Sequence, residues 1–166
     1  MQTIYLAGGC FWGVQKYFDQ FEGVMNTETG YANGPEGYEH VSYEEVCQSS
    51  GHAETLKIEW DEERLTLGSL LDYYFMIIDP TSINRQGHDT GVQYRTGIYY
   101  TDSSQLPIIE EVMRREQEKY PVPLAVEIQP LRNFFPAEEY HQKYLDKNPG
   151  GYCHIPARMF QIKASP

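Results

Sequence analysis

The pair Gly8-Gly9 separates two segments of different hydrophobic period, and this fixes how the first twenty residues can fold. Before it, "TIYLA" (3–7) reads as a short strand. After it, Phe11, Val14, Phe18 and Phe21 recur at offsets of three, seven and ten, which is one face of a helix. Two glycines let the backbone turn sharply from strand to helix. Cys10 is therefore expected at the helix N-terminus, where free N–H groups and the positive end of the macrodipole favour a thiolate and lower its pKa. A cysteine beside aromatic residues also reads as a packed core residue, and position alone leaves both readings open. Trp12 lies well off the stripe and could wall an apolar pocket next to a nucleophile. Phe11 falls on the stripe, so its period gives it a core place.

The stretch "TGYANGPEGYEHVSYEEVCQSSGH" (29–52) is rich in Gly, Ser, Asn and Pro and reads mostly as loop. Next, "ETLKIEWD" alternates, with Leu56, Ile58 and Trp60 on one face of a strand. Glu54 shares that parity, so its carboxyl is expected on the apolar side. Desolvation there would raise its pKa and let it donate a proton near neutrality. A strand-end glutamate standing in water is the plainer alternative. A helix through "TLGSLLDYYFMII" buries Leu67, Leu70, Leu71, Tyr74 and Ile78, and a second polar loop, "DPTSINRQGHDTG", leads into the strand "YRTGIYY". Tyr94 shares parity with Ile98, which directs its hydroxyl inward. A helix through "IIEEVMRREQEKY", a strand "AVEIQ", and a helix from near Pro136 to just before Asn148 complete the order. Strands and helices mix without strict βαβ repetition. That order predicts an α+β fold, a single domain over 1–166 with helices packed on a mainly antiparallel mixed sheet.

The formal net charge is −11 with no basic run, which gives no electrostatic footing for nucleic acid or an anionic membrane. No segment approaches the roughly 20 apolar residues that span a bilayer, and "MQTIYLAGGC" lacks the features of a secretory signal, so a cytoplasmic protein is expected. Cys10, Cys47 and Cys153 are too few and too scattered for a disulfide framework, and the five histidines lack metal-ligand spacing. Cys47 ends the helical turn "SYEEVC" and is expected to pack as an inert small hydrophobe.

A nucleophilic thiolate, an inward acid, tyrosine hydroxyls and an aromatic wall suit a substrate with a polarised oxygen beside a small apolar group. "GCFWG" resembles the active-site signature of the A-type peptide methionine sulfoxide reductases. The likeness continues through "TGYANG", "YEEVCQSSGHAE", "GHDTGVQYRTGIYY", "FFPAEEYHQKYL" and "NPGGYC", nearly the whole chain. The resemblance implies a ferredoxin-like α/β sandwich core. It also implies that Cys10 attacks the sulfoxide sulfur, Phe11 and Trp12 hold the substrate methyl, Glu54 protonates the oxygen, Tyr43 and Tyr94 hydrogen-bond to it, and Asp89 orders the polar side. Substrates of this family are the S epimer of methionine sulfoxide, in proteins, peptides or free.

Attack leaves Cys10 as a sulfenic acid, and Cys153, in the Gly- and Pro-rich "KNPGGYCHIP", is the candidate to condense with it. Many relatives carry a further relay cysteine after this point, and none follows Cys153 here. Direct reduction by thioredoxin or another dithiol is therefore expected, with no bound cofactor and a monomeric enzyme. Two rival readings remain open: a cysteine hydrolase pairing Cys10 with His52, His88, His141 or His154, and a binding module that grips methionine-like groups with Phe11 and Trp12.

Overall fold

A computed structural model describes residues 1–162. In chain order the elements are β1 (Gln2–Gly8), α1 (Phe11–Asp19), β2 (Val24–Ala32), α2 (Tyr43–Cys47), β3 (Ala53–Trp60) and α3 (Leu67–Phe75). A two-residue hairpin pair follows, β4 (Arg85–Gln86) and β5 (Asp89–Thr90), then β6 (Thr96–Tyr100), α4 (Leu106–Gln117), β7 (Glu127–Pro130), β8 (Phe134–Pro136) and α5 (Tyr144–Lys147). The main sheet runs β7-β6-β1-β3-β2-β8. All neighbours are antiparallel except β6 and β7, which are parallel. Its four inner strands, taken with α1 and α3, make the β-α-β-β-α-β arrangement of a ferredoxin-like core. The expected α+β class and mixed sheet are both present.

Strand parity separates two apolar layers. Ile4, Leu6, Leu56, Ile58, Trp60 and Ile98 face the helices and join Val14, Phe18, Leu70, Leu71 and Tyr74 in the principal core. Each such side chain contributes about 1.5–3 kcal/mol when fully buried. On the other face Tyr5, Ala7, Ala53 and Tyr99 form a smaller cluster, partly covered by Phe134 and Leu131. Glu54 has the parity of Leu56, so it points to the helix side, level with the turn that follows β1.

Several sequence expectations are corrected. The first residues of the supposed loop 29–52, Thr29 to Ala32, belong to β2, whose pairing with β3 runs from Val24↔Trp60 to Ala32↔Ala53. Two-sided pairing in the sheet outweighs the poor strand propensity of "NTETG". The strand after the polar loop starts at Thr96, and Tyr94 lies in the 3-10 turn Val92–Tyr94 before it. Parity with Ile98 therefore does not govern Tyr94.

The single helix expected from Pro136 to Asn148 is also absent. Instead β8, a 3-10 turn at Glu139–His141 and the four-residue α5 share that stretch. Lys143 breaks it with a left-handed backbone, φ 55°. Its N–H donates to the buried Gln15 Oε1 at 2.7 Å and its Nζ reaches Asp19 at 2.6 Å. Tertiary bonds to α1 thus offset the strain of that conformation.

Candidate active site

The site is built where β1 ends and α1 begins. Gly9 has φ +89°, and a methyl group on it would lie 2.8 Å from Gln86 Cβ, so both backbone and space require glycine there. Cys10 is the N-cap of α1 and its side chain makes no capping bond. The first free N–H of the helix, on Phe11, donates instead to Glu54 Oε1 at 3.2 Å. Glu54 thus satisfies one of the orphan donors of the helix start, and its second oxygen is left to carry a proton beside Cys10.

Glu54 is 1% exposed, which disposes of the solvated strand-end alternative. Burial pushes its pKa up to about 8, against the Phe11 N–H, with a smaller push from the Asp89 charge. It is a neutral acid at pH 7.

Cys10 departs from expectation. It sits at the helix N-terminus as foreseen but is only 7% exposed. Burial, then the Glu54 carboxyl, lift its pKa well above the usual thiol range, and the backbone N–H of Trp12 only partly offsets them. Because Glu54 is itself protonated near neutrality, its charge is largely absent there and burial is the cause that remains. Desolvation outweighs the helix end, and the resting group is a thiol.

Phe11 is fully buried but not in the principal core. With Tyr31, Val41, Val46 and Ala137 it forms a separate cluster, which Trp12 and Tyr43 flank. As the first residue of α1, Phe11 packs instead on Tyr31 of β2, with ring centroids 5.6 Å apart, and does not join Val14 and Phe18. Trp12 is half-exposed, as its off-stripe position required. Its indole N–H donates to His141 Nδ1 at 2.9 Å and its ring stacks on Tyr144 at 3.8 Å. Burial keeps His141 below its ordinary pKa, with Glu138 opposing, so the ring stays neutral and able to accept. The His141 ring also packs on Phe11 at 5.2 Å and on Tyr43 at 4.6 Å. Tyr144 and Glu138 were not assigned to the candidate site from sequence, and His141 was named only as a hydrolase partner for Cys10, not as a neighbour of Trp12. Glu138 accepts from the Tyr43 backbone N–H at 3.0 Å and the Tyr31 hydroxyl at 2.9 Å, which anchors Tyr43.

Tyr43 and Tyr94 keep their hydroxyl protons. Burial comes first for both; a bond to Cys47 and the Glu54 charge add for Tyr43, and Glu54 then Asp89 add for Tyr94. Arg95 fixes the turn carrying Tyr94 through bonds to the carbonyls of Val92, Gly51 and Asn33. Asp89 accepts from the Tyr152 hydroxyl at 3.2 Å and lies 3.9 Å from His154 Nδ1.

The segment carrying Cys153 is already docked rather than free. His154 Nε2 sits 3.1 Å from the Gly8 carbonyl, and Cys153 Sγ accepts from Ile155 N at 3.3 Å. Cys47 is exposed, not packed as expected, because the short α2 turns its last residue to the surface.

Three of the four histidines a hydrolase could use are engaged elsewhere, and the fourth faces outward. His141 takes Trp12, His154 takes Gly8, His52 lies 2.9 Å from Ser50, and His88 is exposed on the β4–β5 hairpin. None of these contacts is to Cys10. A binding module would have no use for a buried neutral acid beside the thiol.

Trp12→Ala is expected to raise KM about fivefold, the worth of roughly 1 kcal/mol of methyl burial, with a smaller change in kcat. Steady-state kinetics beside a thermal melt check this. An unchanged KM with a collapsed melt would make Trp12 a structural residue only.

The sequence pattern of the family described as "Peptide methionine sulfoxide reductase" matches residues 2–165. The chain is 57% identical over 162 residues to the "Peptide methionine sulfoxide reductase MsrA" of Clostridium acetobutylicum, across 97% of this chain and 99% of that protein. The crystal structure of Mxr1 from Saccharomyces cerevisiae in reduced form is similar with a TM-score of 0.89 at 38% identity, covering 93% of this chain and 91% of that one. Mxr1 in complex with Trx2 gives a TM-score of 0.61 at 26% identity, covering 86% and 84%.

Proposed function

The chain belongs to the peptide methionine sulfoxide reductase family, and on that premise we propose that Cys10 is the nucleophile and Glu54 the acid in reduction of the S epimer. The observation that carries this reading is the Glu54 carboxyl, buried, neutral at pH 7 and bonded to the first N–H of the helix that Cys10 caps. The Phe11 and Trp12 rings receive the sulfoxide methyl. Tyr43 and Tyr94, protonated across the neutral range, donate to the sulfoxide oxygen, and Asp89 orders that polar side through Tyr152.

In the first step Cys10 sulfur bonds to the sulfoxide sulfur, Glu54 gives its proton to the oxygen, and the Cys10 thiol proton passes to the Glu54 carboxylate in return. The oxygen ends on Cys10 as a sulfenic acid, the substrate leaves as methionine, and two electrons have passed from Cys10 to the substrate. Cys153 then condenses with Cys10, and an external dithiol reduces the disulfide. The Mxr1 complex with Trx2 supports thioredoxin as that dithiol. Oxidised proteins, peptides and free methionine S-sulfoxide are the substrates, turned over by a cytoplasmic monomer with no bound cofactor. No helix among the described residues is long and apolar enough to cross a membrane.

The test uses each epimer of a blocked methionine sulfoxide, first without reductant and then with thioredoxin. Wild type and Cys153→Ser are both expected to release one methionine per enzyme from the S epimer and none from the R epimer. With thioredoxin only the wild type continues, and Cys47→Ser cycles like it. Equal turnover of both epimers, or sustained cycling by Cys153→Ser, would refute the assignment.

A further inference from the structure

Gly13 stands in the first turn of α1 with a helical backbone, where alanine would be the better helix former. No left-handed conformation accounts for it. Its missing side chain instead admits a sulfur: a methyl group built on Gly13 would lie 2.5 Å from Cys153 Sγ and 3.1 Å from Ile155 Cδ1. Ordinary carbon contacts need about 3.5–4.0 Å. Gly13 follows Cys10 by three residues, a spacing that sets two positions side by side on a helix surface. Disulfide formation brings two Cβ atoms to about 3.5–4.5 Å, so a partner thiol has to lie almost on the helix. Any side chain at Gly13 would hold it off.

Resting on the reading that Cys153 resolves the Cys10 sulfenic acid, we propose that Gly13 is a positioning residue for that step, the seat that holds Cys153 Sγ beside Cys10. In the step the Cys153 thiol gives up its proton, its sulfur bonds to Cys10 Sγ, and the S–O bond of Cys10 breaks. The hydroxide released takes that proton and leaves as water. Cys153 is oxidised and the Cys10 sulfur is reduced from sulfenic acid to disulfide. The segment around Cys153 is braced for this: the Tyr152 hydroxyl holds Asp89 and His154 holds the Gly8 carbonyl, on either side of the sulfur.

Gly13→Ala tests the seat. Mixed with excess methionine S-sulfoxide and no reductant, the variant is expected to release its first methionine at the wild-type rate. Disulfide formation is expected to slow by about 10–100-fold, the effect of a misplacement of ångström size. The sulfenic acid on Cys10 then persists long enough to be trapped by a cyclic dione and read by mass spectrometry. A disulfide formed at the wild-type rate overturns the proposal. So does a methionine burst that slows in step with the disulfide, since a merely structural defect moves both. Absence of a Cys10-dependent burst in the wild type would sink the underlying reading instead. Any loss of melting temperature in Gly13→Ala should shrink when Cys153→Ala is combined with it, because the sulfur it strikes is gone. An undiminished loss also overturns the seat.

Discussion

Cys10→Ser is expected to release no methionine from the S-sulfoxide, in a single turnover or with any dithiol, while remaining folded. A serine hydroxyl at neutral pH is a poor nucleophile toward sulfur, and the site holds no general base bonded to it that could activate one. The fold should survive for a specific reason. Cys10 is the N-cap of α1 without a side-chain capping bond. Serine is among the preferred N-cap residues, and its oxygen can take a free N–H of the first turn for about 0.5–2 kcal/mol. The variant should therefore melt at or above the wild-type temperature. Methionine release by chromatography and a melt on the same sample separate chemistry from folding. Near-native turnover by the serine enzyme would remove the mechanism altogether.

Glu54→Gln is expected to slow methionine formation by about 10²–10⁴-fold, the usual worth of a positioned general acid. The amide oxygen can still accept from Phe11 N, so α1 keeps its start. What is lost is the proton. The pH–rate profile carries the sharper signature. With the Glu54 pKa near 8, wild-type activity should fall as pH rises through that value, and this limb should vanish in the variant.

Stability falls with pH as well, over a window that opens lower. The folded pKa of Glu54 is raised above its ordinary 4.5 to about 8, so the unfolded chain ionises first. Its contribution to stability is whole below pH 4.5, declines as pH rises, and is gone once pH passes about 8. Glutamine carries no such dependence. The variant's stability relative to wild type should grow across that window, measured by denaturant melts below and above it. A wild-type rate and profile in the variant would assign the proton to another group.

Two local statements of the sequence survived because they depend only on neighbours in the chain. Gly8-Gly9 between a strand run and a helical stripe fixed the turn, and alternation from Leu56 to Trp60 fixed the side on which Glu54 stands. Trp12 was legible as lying off the core stripe because a helix has only one buried face, and it is half-buried. The Tyr94 hydroxyl was directed inward by a parity that does not apply to it, since it sits in a 3-10 turn that Arg95 ties to neighbouring loops. The clasp on Trp12 was not legible, because His141 and Tyr144 converge on it only where Lys143 breaks the backbone.

The sequence by itself determined the turn, the helix that Cys10 caps, the inward acid and the set of residue types a sulfoxide would need. Tertiary structure decided the protonation of the thiol and the place of the second one. A helix end favours the thiolate through a few free N–H groups, an effect of about 0.3–1 kcal/mol that reads directly from sequence. Burial acts through every atom that excludes water around Cys10, contributed by segments far apart in the chain, and here it is the larger effect. Cys153 likewise stands 143 positions from Cys10 in sequence. It reaches α1 only because the chain beyond Lys143 folds back over a helix that has no side chain at Gly13 to keep it away.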